Sequence, residues 1–358
     1  MMPPVSPKQG PVSLGRELSV IVPVHNSEGT LRRCLAAIFA TQGIGEFEVI
    51  VVDDGSTDSS AAIAADFPCR PIRCEQVRGP AAARNRGVQA ASADRVAFVD
   101  SDVLVRPETL RLLLDALDSS PAAFASYDPE PLNQNFATLL YHTLSCRSLQ
   151  DTSETTPVFY SYCAAIAKDV FLKLGGFDTN FTRPTFEDVE LGCRLASHGL
   201  YSRYLKSATI VHAVQYNLPT LTRAYFRKSY DLAQLLVSHR SITFDDQGWT
   251  ARKNWAVLAC AWGTLGFGPL ALWVHPLWAV PWALALCGFL FASTQLCRSM
   301  ARYRWIYGPL SLFGYLGIHC IATAAMLSVA LDYIRDRIRW RLSSWRRHYL
   351  RRAHSPTR

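Results

Sequence analysis

The chain has 358 residues, enough for one large domain or two ordinary ones, and 49% of them are hydrophobic. Its ten cysteines form no C-x-x-C pair and follow no regular spacing, which excludes a disulfide scaffold or a zinc site and predicts reduced thiols in a cytosolic domain. The net charge of +8 arises entirely within residues 334–358, where nine arginines accompany one aspartate.

Strand-like and helix-like patterns alternate along the first third of the chain. Leu18–Val24, Phe47–Val52 and Arg95–Val99 are short runs rich in β-branched residues that end at turn residues, which predicts buried strands. Ser27–Phe39 carries apolar residues at helical spacing. The β-α-β alternation predicts an α/β fold with a parallel sheet between helices, in which ligands bind at the carboxyl ends of the strands.

The following region is less regular, and residues 103–158 show no clear pattern. The elements predicted beyond it are a strand over Val158–Ala167, helices over Lys168–Leu174 and Glu187–Gly199, a strand over Thr209–Val214 and an amphipathic helix over Pro219–Arg240.

Two acidic clusters follow predicted strands, Asp53-Asp54 and Asp100-Ser101-Asp102. Both fall at carboxyl ends, so we expect four carboxylates around one crevice. Like charges this close are unfavourable unless a positive charge is bound nearby. A divalent cation bridging a diphosphate supplies that charge, and Mg²⁺ and Mn²⁺ accept carboxylate oxygens as ligands.

Six motifs lie in one order along residues 18–214. They are Ile21–Asn26 (IVPVHN), Val51–Asp58 (VVDDGSTD), Gly79–Gly87 (GPAAARNRG), Phe98–Asp102 (FVDSD), Gly175–Asp178 (GGFD) and Phe186–Leu191 (FEDVEL). In this order they resemble the motifs of the family 2 glycosyltransferases, inverting enzymes with the GT-A fold, and in particular the membrane-anchored bacterial type. The resemblance implies a Rossmann-like mixed sheet between helices, a nucleotide-diphosphate sugar donor, and Mg²⁺ or Mn²⁺ as cofactor.

The same resemblance implies roles for individual residues. Those expected to bind the nucleotide sugar are Pro23, His25, Glu28, Asp54 or Asp53, Arg84 and Asp100. The Arg84 guanidinium would pair with base or phosphate oxygens. Asp102 is expected to bind the metal, with Asp100 beside it and His212 as a further ligand, although a core histidine is an equal reading of His212.

Asp188 is the candidate general base, and Glu187 is the alternative if the register is shifted by one residue. In an inverting transfer the acceptor hydroxyl must lose a proton as it attacks, and a nearby carboxylate can accept it. Acids in the first turn of a helix also have a structural interpretation, because they stabilise its N-terminus.

Two long stretches lack any Asp, Glu, Lys or Arg, residues 254–297 and 305–331. They are long enough for two or three transmembrane helices, with His275-Pro276 as a turn between the first two. The arginine-rich tail has an apolar stripe, which predicts an amphipathic helix on anionic membrane lipids and not a nucleic-acid site. Three complete spans would place this tail outside, against the positive-inside rule, so we expect one segment to be interfacial or re-entrant.

The predicted organisation is a flexible N-terminus over 1–17, a GT-A catalytic domain over 18–240, transmembrane helices over 254–331 and the tail over 332–358. We expect a multi-pass protein of the cytoplasmic membrane whose catalytic domain faces the cytoplasm. Its acceptor would be a lipid, or a lipid-linked or glycan hydroxyl. The alternatives are an inactive membrane scaffold with this fold and a sugar nucleotidyltransferase.

Overall fold

The computed structural model describes residues 16–150, 152–183, 186–238 and 252–353. Two predictions fall mainly outside these residues. The flexible N-terminus concerns residues before 16, and the apolar stripe of the tail depends on side chains from residue 336 onward.

The strands and helices are numbered here in chain order. The strands are β1 (Leu18–Val24), β2 (Phe47–Asp53), β3 (Arg70–Arg73), β4 (Arg95–Val99), β5 (Val103–Val105), β6 (Ala122–Tyr127), β7 (Thr155–Thr156), β8 (Cys163–Ala167) and β9 (Ser202–His212). The helices are α1 (Leu31–Phe39), α2 (Ser60–Ala65), α3 (Pro80–Ala90), α4 (Thr109–Ala116), α5 (Phe136–Gln150), α6 (Lys168–Lys173), α7 (Glu187–Ser197), α8 (Leu218–Ser238), α9 (Arg252–Trp273), α10 (Ala279–Ala301) and α11 (Tyr307–Ala353).

The first compact unit extends to Leu132 and resumes from Thr152 to Val214. Its sheet has the strand order β3-β2-β1-β4-β8-β6-β9-β5, with β7 paired to β9. Strands β1 to β4 are parallel to their neighbours in this half, as predicted, whereas β8 is antiparallel to both β4 and β6. The sheet is therefore mixed, and the carboxyl ends of β1, β2 and β4 share one edge.

Strand β1 lies at the centre of the parallel half. All seven of its residues are buried, which explains why its sequence is an unbroken apolar run and not an alternating one. Pro23 is tolerated here because β1 pairs with β4 only from Ser19 to Ile21, so no ladder hydrogen bond on that side requires a donor at Pro23. Helix α3 packs closely on β1, and a Cβ atom at Gly87 would lie 2.4 Å from Ile21 Cγ2.

The second compact unit comprises Asn133–Asp151 and the chain from Gln215 onward. It contains α5 and α8 to α11, so its boundaries differ from the continuous domain predicted over 18–240. Helices α9 and α10 form a hairpin around a short 3₁₀ turn at Pro276–Trp278, as the His275-Pro276 turn predicted. Within the described residues, three helical segments are long and apolar enough to cross a membrane: Ala256–Trp273, Pro276–Ala301 and Tyr307–Arg335.

Candidate active site

The Asp100-Ser101-Asp102 triplet forms a tight turn between β4 and β5. The Asp100 N–H donates to the Tyr162 carbonyl at 2.9 Å, and the Val103 N–H donates back to the Asp100 carbonyl at 2.9 Å. The Ser101 and Ser27 hydroxyls lie 2.8 Å apart, which connects this turn to the loop after β1. The turn therefore presents two carboxylates at the carboxyl edge of the sheet.

His212 lies beside Asp102, as the predicted metal site requires. Strand β5 pairs with β9 so that Val103 is opposite His212, and the Ala213 N–H donates to the Asp102 carbonyl at 2.7 Å. The His212 Nε2 atom is 3.3 Å from Asp102 Oδ2, and both side chains are partly exposed. A carboxylate with an imidazole suits Mn²⁺, and Mg²⁺ or Mn²⁺ commonly takes one or two protein ligands together with substrate phosphates.

Asp100 points away from this pair, toward Arg84 on α3. The Arg84 guanidinium donates to Asp100 Oδ1 at 2.6 Å and to Glu187 Oε1 at 2.7 Å, and it is 3% exposed. Burial disfavours the charged form of Arg84, but Asp100 and Glu187 outweigh this and raise its pKa. Arg84 thus bridges two acids inside the protein, which differs from the predicted contact with base or phosphate oxygens.

Glu187 and Asp188 are adjacent in α7 but have different surroundings. Glu187 is buried and its carboxylate is paired with Arg84. Asp188 is half-buried, and its Oδ2 atom accepts from the Ser161 N–H at 3.0 Å and the Ser161 hydroxyl at 3.3 Å. Burial, followed by the charge of Glu187, raises the pKa of Asp188 to about 7, although Ser161 and Arg84 act in the opposite direction. Of the two acids, Asp188 is the better proton acceptor.

The other acidic pair is held by backbone donors. Asp54 is buried and accepts from the Arg78 N–H at 2.9 Å and the Gly79 N–H at 2.7 Å, so it orders the loop before α3. Asp53 accepts from the Ser56 N–H at 2.8 Å through Oδ1, while its buried Oδ2 has no hydrogen-bond partner among the described residues. Asp53 is therefore the better placed of the two to accept from a nucleobase.

The remaining predicted nucleotide residues lie in the loops beside β1. The His25 Nδ1 atom is 2.8 Å from the Asp54 carbonyl. Glu28 accepts from the Ser59 N–H at 3.1 Å, and the Glu28 N–H donates to Asp58 at 2.9 Å. These contacts tie the loop after β1 to the loop after β2.

The two acidic clusters do not form one crowded site, contrary to our expectation. Strand β1 lies between β2 and β4, so the clusters are about 10 Å apart at two strand spacings. Asp54 and Asp100 are each compensated by protein donors. Within the described residues, no group of three or more His, Cys, Asp or Glu side chains is arranged to hold a metal ion. The carboxyl edge of the sheet thus carries two separate acidic clusters, one at Asp53-Asp54 and one at Asp100-Ser101-Asp102.

Several residues that support the site had no assigned role in the sequence. The Asn85 side chain donates to the Phe177 carbonyl at 2.8 Å and accepts from the Phe177 N–H at 2.9 Å, which ties α3 to the Gly175–Asp178 turn. Arg194 on α7 binds Glu190 and also donates to the Gly176 carbonyl at 2.7 Å. The GGFD motif is thus a structural junction that holds α3 and α7 together.

A row of aromatic rings extends from the neighbourhood of Asp188 to the Asp102–His212 pair. Tyr160 and Tyr162 stack with ring centroids 6.1 Å apart, and Tyr162 stacks on Tyr127 at 4.9 Å. The Tyr127 ring meets the His212 ring edge-on at 6.4 Å. The row connects the neighbourhood of Asp188, next to Tyr160, with the Asp102–His212 pair.

Comparison with known proteins shows which fold and which family model the chain matches. The fold is shared with a mannosyltransferase of Pyrobaculum calidifontis solved in complex with GDP-Man and Mn²⁺, with a TM-score of 0.59, 21% identity and coverage of 89% of this chain and 88% of that one. The first unit therefore has the GT-A fold of nucleotide-sugar-dependent transferases. Residues 19–175 match the model of glycosyl transferase family 2, so the chain carries a domain of that family.

Curated relatives agree with this assignment. The validoxylamine A glucosyltransferase of Streptomyces hygroscopicus subsp. limoneus is 30% identical over 55% of this chain and 51% of its own length. The pre-mycofactocin glycosyltransferase of Mycobacterium tuberculosis is 32% identical over 58% of this chain and 44% of its own length. The chain thus spans about half the length of these relatives.

Proposed function

We propose that this protein transfers a sugar from a nucleotide-diphosphate donor to a hydroxyl of a lipid, lipid-linked or glycan acceptor at a membrane, by an inverting single displacement. The observation that carries the proposal is Asp188, a half-buried carboxylate that Ser161 orients and whose pKa of about 7 suits a general base. The relatives named as glycosyltransferases and the family domain support the reaction class.

In the proposed reaction, the acceptor hydroxyl attacks the anomeric carbon from the face opposite the diphosphate. Its proton moves to the Asp188 carboxylate as the new C–O bond forms. The bond between the anomeric carbon and the diphosphate oxygen breaks, and its electron pair leaves with the nucleoside diphosphate. Arg84 holds the Asp100 and Glu187 carboxylates in place through an ion pair with each.

Asp102 and His212 are the residues that would hold a divalent cation. When bound there, Mg²⁺ or Mn²⁺ supplies positive charge that stabilises the departing diphosphate. The buried Asp53 Oδ2 atom has no hydrogen-bond partner among the described residues, with Arg73 Nε 3.9 Å away, and it would accept from a nucleobase N–H. Asp100 would face the ribose and sugar.

The membrane part of the proposal rests on the three apolar helices. Helices of that length and composition support membrane association. We propose the cytoplasmic membrane, with the catalytic unit facing the cytoplasm, where nucleotide sugars are made. Anionic lipids would be partners of the arginine-rich tail.

The test uses membranes that contain the full chain, a panel of UDP-, GDP- and dTDP-sugars, and a lipid extract as acceptor source, with and without EDTA. We expect release of nucleoside diphosphate that EDTA suppresses. Asp188→Asn should lower the turnover by about 10²- to 10⁴-fold, the typical contribution of a general base. Asp169→Asn, an exposed α6 substitution, is the matched control.

Each rival function has its own signature in this assay. Pyrophosphate release would indicate a nucleotidyltransferase, and no turnover with any donor and extract would indicate a scaffold. Unchanged turnover in Asp188→Asn alongside normal transfer would overturn the assignment of the base.

A further inference from the structure

An arginine that forms no ion pair with any described acidic residue lies among the apolar helices of the second unit. Arg147 on α5 donates from Nη2 to the Ala292 carbonyl of α10 at 3.3 Å, which is long for a charged donor. Its Nη1 atom is buried and has no hydrogen-bond partner within the described residues. The described residues therefore satisfy the guanidinium only in part.

The position of this guanidinium is unusual for a cation. Ala292 belongs to the uncharged stretch 254–297 and precedes Arg298, the first charged residue after it, by six residues. At 1.5 Å per helical residue, Arg147 contacts α10 about 9 Å inside the uncharged stretch. Charged side chains within such segments are rare and usually mark a binding site or pathway.

Within the described residues, the surroundings of Arg147 supply further polar groups but no ion pair with an acidic side chain. The Gln150 and Gln295 amides lie 3.2 Å apart and both are exposed. On α11, the His319 Nε2 atom is buried and also has no partner within the described part of the chain. The Tyr315 ring centroid lies 4.6 Å from the His319 ring centroid.

The rim of this niche is apolar. Phe291, next to Ala292, is 80% exposed, and Leu290 is 41% exposed. A ligand that fits both the Arg147 guanidinium and the apolar rim has an anionic head for the guanidinium and a hydrocarbon chain for the exposed apolar surface. Phosphate oxygens match the geometry of a guanidinium fork, and phosphate is the anionic group that membrane lipids commonly carry.

We propose that Arg147 binds the phosphate group of a membrane lipid, whose hydrocarbon chain lies against Leu290 and Phe291. Two sources share this chemistry. One is the phosphodiester of a bilayer phospholipid. The other is the terminal phosphate of a polyprenyl lipid, which would deepen the proposed function by naming its acceptor class and would rest on that function.

Native mass spectrometry of the delipidated full chain in detergent tests the site without any turnover. The probes are a polyprenyl phosphate, phosphatidylglycerol and dioleoylglycerol, which lacks phosphate. We expect the wild-type chain to retain a phosphate lipid and not dioleoylglycerol. Arg147→Gln should lower this retention at least tenfold, whereas Arg298→Gln, on α10 near the same helix end, should leave it unchanged.

The arms of this experiment separate the outcomes. Preference for polyprenyl phosphate supports the acceptor-type lipid, and equal retention of phosphatidylglycerol supports a bilayer phospholipid. Equal retention by Arg147→Gln and wild type, or equal loss in Arg298→Gln, overturns the site. Arg147→Lys, which keeps the charge, should retain part of the binding and so separates loss of the site from misfolding.

This design distinguishes a failure of the proposed catalytic function from a failure of the proposed lipid site. Asp188→Asn should retain lipid like the wild type, because Asp188 belongs to the first unit. If no donor is turned over but retention still depends on Arg147, the lipid site stands and the proposed function does not.

Discussion

At the scale of single residues, Asp188 determines the expected pH dependence of transfer. Only its ionised form accepts a proton, so the transfer rate should rise with pH and reach half its maximum near pH 7, the pKa of this carboxyl. Glu187→Gln removes a negative neighbour that raises this pKa, so the midpoint should move to lower pH. The measurement is kcat against pH for both proteins, and an unmoved midpoint in Glu187→Gln would contradict the coupling.

The raised pKa of Asp188 also predicts how the free energy of unfolding changes with pH. In the unfolded chain Asp188 loses its proton near pH 4, whereas in the folded chain it keeps the proton until about pH 7. The folded state therefore binds more protons between these values, and the Asp188 contribution to the free energy of unfolding falls as pH rises through this window. The side chain of the Asp188→Asn variant cannot ionise. The unfolding temperature of this variant minus that of the wild type should therefore be larger at pH 8 than at pH 4.5.

Arg84 is the residue that compensates the negative charge of Asp100 and Glu187. Removing one member of a buried ionic group leaves the others uncompensated, at a cost of about 3–5 kcal/mol. Arg84→Gln should lower the unfolding temperature strongly, because Asp100 and Glu187 then face each other without a cation. Arg86→Gln is the matched control, since Arg86 is on the same helix but exposed. Equal unfolding temperatures for the two variants would contradict the bridge.

The sequence predicted the pairing of Asp102 with His212 more readily than the partners of Arg84. Strand ends and a family motif locate Asp102 and His212 on opposing strands. Arg84 instead meets Asp100 and Glu187, 16 and 103 residues away, through the packing of α3 and α7 against the sheet edge. No local pattern encodes such a contact, so Arg84 was expected at the nucleotide.

At the scale of elements, a close approach of α7 to the segment before β8 holds Asp188 in place. A Cβ atom at Gly192 would lie 2.7 Å from both the Phe159 nitrogen and the Pro157 carbonyl oxygen. These are backbone atoms and cannot move away like a flexible side chain. The spacing between Asp188 and Ser161 therefore depends on the absence of a side chain at Gly192.

Gly192→Ala tests this packing. The added methyl should push α7 outward and cost about 1–3 kcal/mol from overpacking, more than the gain of about 1 kcal/mol from helix propensity. We expect lower kcat with little change in nucleotide affinity, together with a lower unfolding temperature. Gly317→Ala in α11, where a Cβ atom would meet nothing within 4 Å, should not lower either quantity. Equal behaviour of the two variants would contradict the role of Gly192.

Helix α5 shows where periodicity fails to predict structure. Its residues from Ala137 to Ser145 are all buried, so the helix has no polar face and its sequence no amphipathic period. It lies in the chain between β6 and β7 of the first unit yet belongs to the second. The sequence pattern therefore predicted neither α5 nor the discontinuity of the domain.

At the scale of the whole molecule, the side of the membrane on which the chain ends depends on α8 and α11. Leu221 and Tyr225 of α8 share a buried cluster with Tyr315 of α11, and the Tyr230 hydroxyl donates to Asp332 at 2.7 Å. Helix α8 thus follows α11 along much of its apolar part. Helix α8 carries four charged side chains, those of Arg223, Arg227, Lys228 and Asp231. It therefore cannot cross the hydrocarbon core at low cost.

Although α11 is long and apolar enough to span, its packing against α8 favours an interfacial position, with the α9–α10 hairpin as the membrane-crossing element. The arginine-rich tail then lies on the same side as α8, in agreement with the positive-inside rule. Alkaline phosphatase, active only outside the cytoplasm, should be inactive when fused after Arg358 and active when fused after Trp273 at the hairpin tip. High phosphatase activity in both fusions would show instead that α11 crosses the bilayer.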